Sequence, residues 1–154
     1  MILIIVAAGK LYSQELSFTI SLDKAIYNKG EPVKCTLSIK NVSNTNQVVN
    51  NRFLVNLPTG PHEVSLQILD PDLHTVPFAS MIRASFNSNK FILLAPGKTE
   101  MKTYIVTGDF GLVKTGKYSI TAYYENQSDT PASLKMPVSW KGSLISNKAI
   151  FNLR

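Results

Sequence analysis

From Leu16 onward the side chains alternate, with Leu16, Phe18, Ile20 and Leu22 separated by Ser17, Thr19 and Ser21. An extended chain points successive side chains to opposite faces, so this spacing predicts a strand with one face in a core and the other in water. The same beat returns with Val33, Cys35, Leu37 and Ile39, with Val64, Leu66 and Ile68, and with Tyr118, Ile120, Ala122 and Tyr124. Between these runs stand Asn28-Lys-Gly30, Pro58-Thr-Gly60-Pro61, Pro96-Gly97 and Gly116, residues that supply the restricted or positive φ of turns. Weaker strands are predicted at 48–56, 75–84, 90–94, 99–107, 133–140 and 144–153, the last with Ala149, Phe151 and Leu153 on one face. No stretch carries the 3.6-residue period of an amphipathic helix. So many half-buried strands must stack as two sheets or curl into a barrel. The expectation is an all-β, two-sheet antiparallel sandwich, with a closed barrel as the alternative.

Composition narrows the classes. The chain has 154 residues, 44% of them hydrophobic and 17% charged, which suits one domain with a packed core. A lone Cys excludes an intramolecular disulfide, and one thiol with two His does not make an ordinary four-ligand structural zinc site. The net charge of +6 is spread over singly spaced Lys residues, with no basic run and no interleaved aromatics. That distribution predicts a solvated basic face and no nucleic-acid partner.

Residues 2 to 9 form an apolar run of signal-peptide length, with Ala7 and Gly9 at spacing suited to cleavage, although Met1 leads directly into Ile2 without a basic flank. The run is too short to span a bilayer. Residues 1–14 are therefore expected to be a truncated signal peptide and 15–154 the domain, placed in a secreted, periplasmic or cell-surface setting without stable membrane insertion. Two acceptor triplets, Asn41-Val-Ser43 and Asn126-Gln-Ser128, fall in segments expected to be loops.

The segment Asp23-Lys-Ala-Ile-Tyr27-Asn-Lys-Gly30-Glu31-Pro-Val33 resembles the opening of macroglobulin-type and related immunoglobulin-like sandwich domains. Leu94-Ala-Pro96-Gly97-Lys98, Gly116-Lys-Tyr118 and the closing Trp140-Lys-Gly142-Ser-Leu-Ile-Ser146-Asn147 are similar to the turns and strand entries of bacterial extracellular sandwich modules. The resemblance implies an immunoglobulin-like fold in which Tyr118 buries its ring and finds a hydroxyl partner. The same layout is similar to proteinase-inhibitor domains and to the pro-regions of some secreted metallopeptidases. It implies protease binding as an alternative function and assigns no inhibitory residue.

Candidate chemistry is sparse. Cys35 lies in an inward-facing series and reads as a small buried hydrophobe. Asp70-Pro-Asp72-Leu-His74 gathers two carboxylates and an imidazole, which could hold a divalent cation, but Asp and Pro between apolar runs are ordinary turn residues, with Asp72 bonding its own backbone. His62 sits in another turn. Trp140, Arg52 and Arg83 are candidate interface anchors. Against that, Leu134, Met136, Val138 and Trp140 alternate in a way that sends the indole inward, and both Arg residues read as surface charges. The expectation is a non-catalytic exported binding or accessory module with no cofactor and no metal. Its partner is another protein or a cell-surface polymer, met through loops or an exposed sheet.

Overall fold

The computed structural model describes residues 15–56, 62–79 and 90–154, so the expected signal peptide lies outside the described residues. The chain is all-β: β1 Leu16–Leu22, β2 Ile26–Tyr27, β3 Lys34–Asn41, β4 Gln47–Asn50, β5 Val64–Leu69, β6 Phe91–Leu94, β7 Thr99–Ile105, β8 Gly116–Asn126 and β9 Gly142–Leu153. Among the described residues these strands form a three-stranded sheet β1-β3-β7, a four-stranded sheet β2-β9-β8-β5 and a separate pair β4-β6. The pairings are antiparallel except for β2 with β9, which run parallel. That third sheet and the parallel pair depart from the simple two-sheet antiparallel expectation.

The alternating residues behave as their period requires. Leu16, Phe18 and Ile20 of β1, Cys35, Leu37 and Ile39 of β3, Val64, Leu66 and Ile68 of β5, and Tyr118, Ile120, Ala122 and Tyr124 of β8 all lie in one buried cluster. Phe18 of β1 ties the two larger sheets together, lying 5.6 Å from Tyr124 of β8, while within the four-stranded sheet Tyr118 stacks on Phe151 of β9 at 5.2 Å. Such pairs add about 0.5–1.5 kcal/mol to the burial of each ring. The Tyr118 hydroxyl donates to the Lys114 carbonyl at 2.9 Å and accepts from the Lys114 amide at 3.1 Å, so the ring is buried with its polar end satisfied. Gly116, at φ +128°, opens β8 where a Cβ would come within 2.9 Å of Pro71.

β9 buries Leu144 and then Ala149, Phe151 and Leu153, a change of parity that needs one extra residue. The register with β8 shifts between Thr121 and Tyr123, and the Ala122 amide donates to the Ser146 hydroxyl instead of to a strand carbonyl. The bulge re-aims Asn147 toward β1, where its side-chain amide donates to the Ile20 carbonyl at 2.9 Å and accepts from the Ile20 amide at 3.0 Å.

Several expected strands are shorter or absent. The run at 48–56 is a strand only over β4, because Phe53 at φ 48° and Asn56 at φ 44° break the extended path. Thr75 and Phe78 form isolated bridges, while the rest of 75–84 from residue 80 lies outside the described residues. The run at 99–107 turns into a 3-10 helix at Val106–Gly108. The stretch 133–140 is not a strand: Ala132–Leu134 is a 3-10 turn, Lys135 takes a left-handed φ of 50°, and Leu134, Met136 and Val138 are exposed. Pro137, with no amide to donate, accounts for part of that failure.

Candidate functional site

The β5–β8 and β8–β9 registers set the outer face of the four-stranded sheet. Ser65 stands opposite Tyr123, Tyr123 opposite Ile145, and Glu125 opposite Ser143. Inward-facing Tyr124 anchors this end: burial raises the pKa of its phenol, and its hydroxyl donates to the Asn50 carbonyl at 2.8 Å. Tyr123 is left 40% exposed and Ile145 60% exposed. Of these, Ser65, Tyr123, Tyr124, Glu125 and Ser143 border a groove of about 390 Å³ together with His62, Gln127 and Ser128. The groove therefore offers an aromatic ring beside hydroxyl, amide and carboxylate groups that can hydrogen-bond a polar chain laid across it.

Some groups in the wall are already committed. Glu63 is buried and accepts from Arg52 through Nε at 3.0 Å and Nη2 at 2.5 Å, from the Asn50 amide group at 3.3 Å and from the Leu54 amide at 3.1 Å. Its charge is neutralised internally and is not offered to a ligand. Asn126 donates to the carbonyls of Ser128 and Trp140 at 3.4 and 2.6 Å. Glu125 accepts from Gln127 at 2.8 Å and remains exposed.

The groove also contains a pair that sequence reasoning missed. His62 Nε2 lies 3.0 Å from Ser65 Oγ, the contact of a nucleophile with its base. In a catalytic triad an acid holds the other imidazole nitrogen and stabilises the imidazolium. Here His62 Nδ1 is buried and, among the described residues, no acid reaches it to orient the imidazole. A His three residues before a strand Ser was the available signal, and it is too common a spacing to distinguish.

The other candidates fall elsewhere. Asp70, Asp72 and His74 do come together, with ligand-type atoms within 4.8 Å of one another. Yet Asp70 Oδ1 accepts the Asp72 and His74 amides, both at 2.9 Å, and Lys114 Nζ reaches Asp70 at 2.5 Å and Asp72 at 2.7 Å. The Lys114 ammonium thus occupies the place a cation would take, and its hydrogen bond holds the Asp70 carboxyl below the ordinary carboxylate value. It is Asp70, not Asp72, that closes the turn through its side chain. Cys35 is sealed in the core, and burial pushes its thiol up to about 12, which leaves no thiolate for chemistry at neutral pH.

Trp140 packs against the core with its ring 6.3 Å from Tyr124, although it reaches that position from an irregular segment and not from the expected strand. Arg52 is not a surface charge: its side chain is 12% exposed and locked onto Glu63. Arg83 lies outside the described residues. The two acceptor triplets begin at strand ends, not in loops, and Asn41 and Asn126 are buried. Asn41 spends its amide on the Thr45 and Leu94 carbonyls, both at 2.7 Å.

No protein-family model matches the chain, and no curated protein matches it. Among solved structures it is similar to a β-glucosidase from Erythrobacter marinus, at 12% identity and TM-score 0.36, over 86% of this chain and 15% of that one. It is also similar to a β-glucosidase from Listeria innocua solved with isofagomine, at 13% identity and TM-score 0.37, over 90% of this chain and 16% of that one. The chain spans less than a fifth of the length of either enzyme.

Proposed function

We propose that this chain is a non-catalytic, exported binding module on an immunoglobulin-like sandwich, which holds another protein or a cell-surface polymer against the groove at the Tyr123 end of its four-stranded sheet. The observation that carries this reading is the groove itself: a half-exposed aromatic ring beside the exposed polar side chains of Glu125, Gln127 and Ser143, supported from beneath by buried Tyr124 and the Arg52–Glu63 pair. Binding surfaces of this kind need rigid support more than reactive groups.

The immunoglobulin-like reading draws support from strand order. β1, β3 and β7 follow the order of the A, B and E strands, while β5, β8 and β9 follow C, F and G, with β4-β6 as an addition. Tyr118, near the start of β8 and bonded to backbone four residues upstream, matches the tyrosine corner of such domains. Export rests on the apolar run at residues 2 to 9.

The test is retention of envelope proteins and polymers from producing cells on the immobilised domain, compared with Tyr123→Ala and the groove-filling Ser143→Trp. Ligands held by the wild-type domain and lost from both variants are expected, and equal retention on all three would overturn the reading. A panel of peptidases at stoichiometric concentration should be unaffected; inhibition there would move the function to the inhibitor alternative. A fluorophosphonate probe should leave Ser65 unlabelled, and labelling would contradict the non-catalytic assignment.

A further inference from the structure

Several sheet edges are capped at named points. In β5 the outward backbone groups belong to the even residues. The Val64 amide donates to the Leu54 carbonyl at 3.0 Å, the Leu66 amide to Asn56 Oδ1 at 2.6 Å, and the Ile68 carbonyl accepts from Val76 at 2.8 Å. In β1 the outward groups of Ile20 are taken by Asn147. β2 lies along the last residues of β9.

β7 is different. The Val106 amide donates to the Val33 carbonyl at 2.8 Å and the Asn41 amide to the Lys98 carbonyl at 3.0 Å, which sets the phase of the β3–β7 ladder. Glu100, Lys102 and Tyr104 therefore turn their backbone groups toward β3, while Thr99, Met101, Thr103 and Ile105 turn theirs away. Among the described residues no backbone group pairs with that outward row. Met101 is also 63% exposed on the outer face. A free row of amides and carbonyls is a template for another strand.

We infer that β7 pairs with β7 of a second copy of this chain, antiparallel across a two-fold axis at Met101, joining two three-stranded sheets into one of six strands. Charge selects the occupant and the register. With Met101 facing its own copy, Glu100 stands opposite Lys102 of the second chain and Lys102 opposite its Glu100, so two opposite-charge pairs form at once, flanked by Thr99 opposite Thr103. Sliding the axis by one residue to Lys102 would set like charges face to face. A self-complementary patch of this kind is what a two-fold interface requires. The contacts Glu100 and Lys102 already make, to Asn51 Nδ2 at 3.0 Å and to the Arg52 carbonyl at 2.7 Å, hold both side chains beside this edge.

The test is sedimentation equilibrium of the full chain over a wide concentration range, with circular dichroism confirming that each variant is folded. The wild type should show a reversible monomer–dimer equilibrium. Glu100→Lys and Lys102→Glu should each weaken it about tenfold or more, and the combined exchange of both residues should restore it. Thr103→Pro, which removes an outward amide and, toward β3, only the 3.4 Å hydroxyl contact with Thr36, should abolish the dimer. A wild type that stays monomeric overturns the inference, as does a dimer that survives both single charge reversals unchanged.

Discussion

At the scale of single residues, Arg52 is the clearest point of failure. It supplies a charge and three hydrogen bonds to a carboxylate that is only 4% exposed. Arg52→Met keeps much of the apolar stem but strands the Glu63 charge in the wall of the groove. A loss of about 3 kcal/mol is expected by urea denaturation, and a loss below experimental error would show that the pair is dispensable. The paired change of Arg52→Met with Glu63→Leu should recover most of that loss, since the penalty comes from the uncompensated charge.

Acid sensitivity has an address as well. Lys114 holds Asp70 below its ordinary value of 3.8, and Tyr27 does the same for Asp23. A carboxyl whose folded pKa is depressed contributes stability that is present above its unfolded value and lost as pH falls through the folded value. Stability should therefore decline from about pH 4 downward, and Asp70→Asn should flatten part of that decline while lowering stability at neutral pH. Parallel acid limbs for the two proteins would contradict the assignment.

At the scale of elements, two asparagine side chains act as short substitutes for strands. Asn147 bonds both backbone groups of Ile20, and Asn56 accepts from the Leu66 amide while its own amide group reaches the Leu66 carbonyl at 3.5 Å. Each occupies an edge that would otherwise be open to association. Asn147→Ala should cost about 1–2 kcal/mol, because a buried amide and carbonyl lose their partners together. Light scattering should also show faster aggregation of this variant near its melting temperature. Unchanged melting and scattering would mean that water replaces the side chain without penalty. The bulge at Ser146 is what makes the Asn147 contact geometrically available, so deleting one residue there should be more disruptive than substituting Asn147.

At the scale of the whole molecule, the buried faces were legible because period two is a strong signal wherever one face is dry. Leu16 to Ile20, Val33 to Ile39 and Tyr118 to Tyr124 all pack where their alternation places them. The run at 133–140 shows the limit of that logic, since Leu134, Met136 and Val138 alternate equally well and yet lie exposed around a left-handed Lys135 and Pro137. Alternation reports what could be buried and does not report whether a neighbouring strand is there to receive it. The groove was invisible for a related reason: Ser65, Tyr123, Glu125 and Ser143 occupy the polar phase of their strands and look like any solvated face until the registers bring them together. Arg52 misled because its buried partner lies eleven residues away in sequence and no local pattern links the two.

The proposed function places a macromolecular partner at the Tyr123 groove. Amide chemical-shift mapping of the isotope-labelled domain, titrated with the partner retained by affinity capture, tests it most directly. Perturbations are expected at residues 62–65, 123–128 and 143, with the Asp70–Lys114 region unchanged. Perturbations centred on that region instead, or scattered without a focus, would contradict it.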